Sequence, residues 1–202
     1  RIYDMIPSNL ESKKKRVVFQ DIEDKRGKRF SDYQDEFEYL ISAGIALDVN
    51  AITTPVFPLT QSVGKNLLKL YLNDVGLLTD VLYGSNIRAI LDDETGINLG
   101  SVYESVVAQE LAAHGYKLFY YDNRSKGEVD YLIDDYDSLS AIPIEVKSGK
   151  DYTVHSALST FIKNDDYHVK KAFVLSNTRE ITTNGKITYL PIYDVMFLQN
   201  NS

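Results

Sequence analysis

The chain has 202 residues, 44% of them hydrophobic and 25% charged, with a formal net charge of −7 and no cysteine. This composition excludes a disulfide framework or a thiolate metal site and supplies apolar material for one large or two small domains. No apolar run approaches the roughly 20 residues that span a bilayer, and no basic-then-apolar leader opens the chain, so a cytoplasmic protein without a membrane partner is expected.

Charge is unevenly spread. Residues 1–30 hold nine Lys and Arg against five Asp and Glu, a net of +4, which leaves −11 for the remainder. The runs Lys13-Lys14-Lys15-Arg16 and Lys25-Arg26-Gly27-Lys28-Arg29 suit contact with a phosphate backbone, but runs of this kind read first as a solvated arm. A chain that begins at Arg is expected to be a piece of a longer one.

Residues 31–43 (SDYQDEFEYLISA) carry an amphipathic helix pattern, with Ser31 or Asp32 as N-cap, Gly44 as stop, and Phe37, Leu40 and Ile41 on one stripe. Ile45 to Ile52 reads as a strand, and Pro55 and Pro58 break regular structure just after it. Helix then strand behind basic residues suggests a winged-helix-like part. The acids Asp32, Asp35, Glu36 and Glu38 would repel phosphate, which favours a packing role for that helix. Residues 65–83, with Leu67, Leu68, Leu70, Tyr71 and Leu72, read as core. Gly64-Lys65 is not a phosphate loop, since Asn66 stands where Ser or Thr would hold magnesium and Leu59 where the first Gly belongs.

A second part begins near residue 85. Ile97 to His114 is a long helical pattern stopped by Gly115, with Val102, Val106, Val107 and Leu111 on its buried side and Glu104 at the flank. Tyr116 to Tyr121 reads as a strand and Asp122 to Gly127 as a loop. After the motif strands come a helix near Thr153 to Lys163, a strand Lys171 to Ser176, and a last strand and short helix beyond Ile187. His114, His155 and His168 have no metal spacing, and no Gly-x-Ser-x-Gly elbow occurs. His114 is expected to serve the C-terminus of its helix.

Two strand patterns carry the chemistry. In Gly127-Glu128-Val129-Asp130-Tyr131-Leu132-Ile133 and Ile142-Pro143-Ile144-Glu145-Val146-Lys147-Ser148-Gly149, acids alternate with apolar residues, so Glu145 and Lys147 point the same way. If the two strands pair, Asp130 joins them, and two carboxylates and an ammonium surround a place where a divalent cation and a phosphate could meet. Neighbouring carboxylates repel unless a cation compensates, so the arrangement is costly as decoration. The bland alternative is a surface Asp and an exposed Glu/Lys pair.

Asp130, Glu145 and Lys147 match the core of the P-D-(D/E)-x-K nuclease superfamily, with Glu104 in place of its additional acidic residue. The stretch from Gly100 to Leu111, with Glu128-Val129-Asp130 and Pro143 to Gly149, resembles the carboxy-terminal domain of unknown function in a family of prokaryotic AAA-type ATPases. Phe37 to Val49 and Lys69 to Leu78 are similar to the segment that joins the ATPase core to that domain. The resemblance implies an α/β fold. A restriction-endonuclease-like core, a mixed central sheet flanked by helices, over 91–202 comes after a smaller helical or winged-helix-like docking part over 1–90. It implies Mg2+ or Mn2+ held by Asp130, Glu145, the Val146 carbonyl and Glu104, with Lys147 acting on the attacking water or the transition state. It also implies DNA as partner, with Lys126 and Lys150 near its backbone, a missing ATPase core that alone binds ATP, and a homo-oligomer. Val129 replaces the superfamily's Pro, and Ser159, Thr160 and Lys163 stand where exonuclease branches carry Gln. Two functions therefore stay open: a metal-dependent DNA phosphodiester hydrolase, or an inactive nuclease-fold module that binds DNA or a protein and regulates the ATPase.

Overall fold

Alternating apolar strands bury their faces only by stacking against helices, and this chain does so on both sides of one sheet. The computed structural model describes residues 1–84, 86, 88 and 99–200. The expected boundary at residue 90, and the first residues of the helix expected from Ile97, lie outside the described residues. Among those described, the α-helices are α1 (Ile2–Glu11), α2 (Gln34–Ser42), α3 (Val75–Tyr83), α4 (Gly100–Ala113) and α5 (Ser156–Ile162). The strands are β1 (Ala46–Ile52), β2 (Val63–Leu72), β3 (Phe119–Asn123), β4 (Gly127–Asp135), β5 (Ser140–Lys147), β6 (Ala172–Ser176), β7 (Thr182–Asn184) and β8 (Ile187–Pro191).

They form one mixed sheet in the order β2-β1-β3-β4-β5-β6-β8-β7. The pairs β1/β3, β5/β6 and β6/β8 are parallel and the others antiparallel. Residues on both sides of position 90 thus share one sheet. They also share one core, since Leu10, Val49, Leu70, Leu111, Tyr131, Ile144 and Val195 belong to a single buried cluster. On the opposite face α5 sets Leu158 and Phe161 against Tyr121, Val129 and Leu132. Gly127 opens β4 at φ +92°, a conformation that favours glycine, and a Cβ there would lie 2.9 Å from the Ala157 Cβ of α5.

Several local expectations are corrected. The basic first thirty residues are not a solvated arm: α1 buries Ile2, Ile6 and Leu10, and Phe19 and Phe30 close on Phe37 of α2, the last pair stacked at 5.4 Å. Helix α2 starts at Gln34 rather than Ser31, because residues 30–32 form a separate 3-10 turn in which the Asp32 carboxylate accepts from Arg29 N at 2.8 Å. The leucine-rich segment after residue 63 is strand β2. Strand β3 begins at Phe119, not Tyr116, because the chain must first leave α4 through Gly115 at φ +82°. Val106 is half-exposed, while the polar Ser101, Glu104 and Ser105 take the buried side of α4. His114 meets the closing turn, with Nδ1 2.7 Å from the Leu198 carbonyl oxygen.

Candidate active site

The site grows from the place where β4 and β5 part company. Their antiparallel register runs from Asp135↔Ser140 to Tyr131↔Ile144. Beyond it, the Val146 N–H donates instead to the Asp130 carboxylate at 2.8 Å. A buried strand N–H needs a partner, and here a side chain supplies it. On its other edge β4 carries an extra residue: Tyr121↔Val129 and Phe119↔Leu132 set three β4 steps against two of β3. Such a bulge re-aims side chains. Val129 and Leu132 accordingly share one core face while Tyr131 packs on the other, and Asp130 sits within the irregular step.

Along β5 the pleat is regular. Ile144 and Val146 face the larger core, and Glu145 and Lys147 take the opposite direction, their Oε1 and Nζ 2.8 Å apart. Glu145 is 7% exposed, and its Oε2 is buried with no hydrogen-bond partner. The expectation of an exposed Glu/Lys pair is therefore not met at Glu145. Glu104, far from lying at an exposed flank, is 5% exposed. One of its carboxylate oxygens accepts from the Tyr71 hydroxyl at 3.0 Å and the other pairs with Lys15 Nζ. Its backbone carbonyl accepts from the Tyr131 hydroxyl at 2.9 Å, which ties α4 to the sheet at the level of Asp130.

The charges act on one another. Burial, then Glu145 and Glu104, push the Asp130 carboxyl well above the usual range, against the pull of Lys69 and the Val146 N–H. Burial also raises Glu145, opposed by Lys147. Lys147 loses hydration, but Glu145, Asp130 and Glu104 outweigh that loss and hold its ammonium above its ordinary pKa. Lys69 behaves likewise: it is fully buried, lies 4.5 Å from the Tyr120 ring centre, pairs with Glu128, and is held charged by Glu128, Glu104 and Asp130. A cluster of three carboxylates and three lysines results.

Lys15, Lys69 and Tyr71 are the site residues that the motif does not contain. Lys69 leaves a trace in the sequence as the one cation inside the apolar run Leu67-Leu68-Lys69-Leu70-Tyr71-Leu72. Lys15 leaves none, being one of four consecutive basic residues. Lys126 holds its ammonium 5.4 Å over the Tyr167 ring, and Lys150 is exposed after β5. Nearby, a groove of about 920 Å³ is walled by Lys14, Arg16, Asp122, Arg124 and Glu128.

The oxygen donors suit a hard divalent cation. Glu145 Oε2, orphaned and buried, is the atom that most needs one. The fit is confined to Asp130, Glu145 and the adjoining β5 backbone, because Glu104 is engaged by Lys15 and Tyr71. Among the described residues, no group of three or more His, Cys, Asp or Glu is placed to hold a metal ion. No described helix is long and apolar enough to cross a membrane.

No curated protein and no solved structure matches the chain. Residues 99–195, a span that contains Glu104, Asp130, Glu145 and Lys147 but neither Lys15 nor Lys69, match the family DUF4143, a domain of unknown function.

Proposed function

We propose that this chain is the nuclease-like portion of a longer AAA-type ATPase polypeptide and hydrolyses DNA phosphodiesters with Mg2+ or Mn2+. The observation that carries the reading is the buried Glu145, with one oxygen on Lys147 at 2.8 Å and the other unpartnered, beside an Asp130 tied to the same strand. The order α4-β3-β4-β5-α5-β6 supports a restriction-endonuclease-like core, as the resemblance implies. The first ninety residues would be the docking part for the ATPase core, where the winged-helix-like reading applies. ATP belongs to that missing core, and a cytoplasmic homo-oligomer fits the same picture.

Asp130, Glu145 and the Val146 carbonyl would hold the cation. When bound, it supplies charge neutralisation at the non-bridging phosphate oxygens and a hydroxide-like water near neutral pH. Lys147, kept protonated by its carboxylate neighbours, places a fixed positive charge where the transition state gains negative charge. Tyr71 and Tyr131 hold α4 against the sheet and fix the distance between Glu104 and the strand acids.

The second reading, a regulatory module that binds DNA or a protein without cutting, is favoured by one observation: lysines already neutralise the carboxylates, Lys15 at Glu104 and Lys69 at Glu128. The two readings separate in a cleavage assay with single-stranded, duplex and four-way-junction DNA plus Mg2+ or Mn2+, comparing wild type with Lys147→Ala. The nuclease reading expects metal-dependent cutting that falls by roughly 100-fold or more in the variant. No cutting by either protein, alone or joined to its ATPase core, gives the regulatory reading instead.

A further inference from the structure

We propose that residues 12–17 are a strap that closes the acidic site, with the Lys15 ammonium standing where a divalent cation must contact Glu104. The inference rests on the metal reading above. Helix α1 ends at Glu11, and residues 15–18 cross the protein without regular structure. Three ties hold them: Lys15 to Glu104 on α4, Arg16 Nη1 to Asp122 on β3 at 3.0 Å, and the Val17 N–H to the Leu68 carbonyl of β2 at 2.9 Å.

Of four consecutive basic residues, Lys13 and Lys14 are exposed, and Lys15 turns inward, its side chain 22% exposed. It does so from φ +51°, a left-handed conformation that is strained for a residue with a side chain. Ser12 compensates: its hydroxyl accepts the Lys15 N–H at 3.1 Å. A strained backbone, a dedicated cap and a buried carboxylate thus converge on one ammonium.

The consequence is competition. Glu104 has one oxygen on Tyr71 and the other on Lys15, so it can enter a metal's coordination only by releasing one of them. Tyr71 is a fully buried part of the core, whereas the strap is fastened by ion pairs that retain partial exposure, a kind that is individually weak. Lys15 is the partner that leaves. The unpartnered Oε2 of Glu145 is a second, independent sign that a cation is called for at this cluster.

The test is calorimetric titration of the metal-free chain with MnCl2, for wild type, Lys15→Met and Lys15→Arg. Lys15→Met is expected to bind Mn2+ on the order of tenfold more tightly, since one charge-assisted hydrogen bond no longer has to be broken, and Lys15→Arg to stay near wild type. Equal affinity in wild type and Lys15→Met, with binding lost in Asp130→Asn, overturns the strap and leaves the metal site standing. No binding even in Lys15→Met overturns both. Amide hydrogen exchange of wild type supplies a readout that needs no variant at Lys15. Mn2+ should deprotect the Val17 amide, and unchanged or increased protection at saturating Mn2+ overturns the proposal.

Discussion

Asp130 combines two opposed effects in one side chain. It accepts the Val146 N–H, which stabilises the sheet, yet its burial beside Glu145 and Glu104 raises its pKa and makes its ionised form unfavourable. A group whose pKa is higher in the folded protein contributes stability that is fully present below its unfolded value, about 3.9. That stability is lost as pH rises through the folded value. Asn keeps an oxygen to accept the Val146 N–H and cannot ionise. In metal-free buffer Asp130→Asn should therefore melt higher than wild type at pH 7, and the difference should shrink toward pH 4. A lower melting temperature at pH 7 would mean that the attraction to Lys69 outweighs burial. With Mn2+ present the ordering should close up or reverse, since only wild type gains a ligand.

At the level of elements, the Lys69–Glu128 pair links β2 to β4 across β1 and β3. Its two ends differ in environment: the Lys69 side chain is 0% exposed and that of Glu128 34%. Breaking such a pair is damaging when it strands the buried charge, and mild when it leaves the charge that water can reach. Glu128→Gln is expected to lower stability by about 3 kcal/mol in urea unfolding. Lys69→Met should lower it by less than about 1.5 kcal/mol, because a methionine fills similar volume among Leu68, Leu70 and Tyr120. Equal losses would show that Asp130 and Glu104, not Glu128, are the main counter-charges of Lys69. The same asymmetry explains why the run Leu67 to Leu72 was legible as core but not as part of the site. A lysine in an apolar run announces a buried partner without naming it, and Glu128 lies 59 residues away.

For the whole molecule, a sheet that draws β1 and β2 from before position 90 and β3 to β8 from after it couples the two regions mechanically. Leu70 of β2 and Ile144 of β5 belong to one buried cluster. Leu70→Ala should thus lower stability by about 3 kcal/mol and shift one transition seen alike by far-UV circular dichroism and tyrosine fluorescence. Two separated transitions, only the first moved by the substitution, would show that the two regions unfold independently.

Local patterns determined much on their own. Period-two alternation placed Glu145 and Lys147 on one side of β5. Helical periodicity and Gly115 marked the end of α4, and turn signals and apolar runs marked the helix, three strands, helix, strand order of the second half. These properties repeat over two to four residues and are therefore written in short stretches of chain. Tertiary structure decided what depends on partners far apart in sequence: the bulge that re-aims Asp130, the burial of Glu104, and the joining of β1 and β3 in parallel. It also decided the fate of the basic run at 13–16. One of its lysines leaves solvent for a carboxylate 89 residues away, because a buried acid must find a positive charge wherever the fold brings one near.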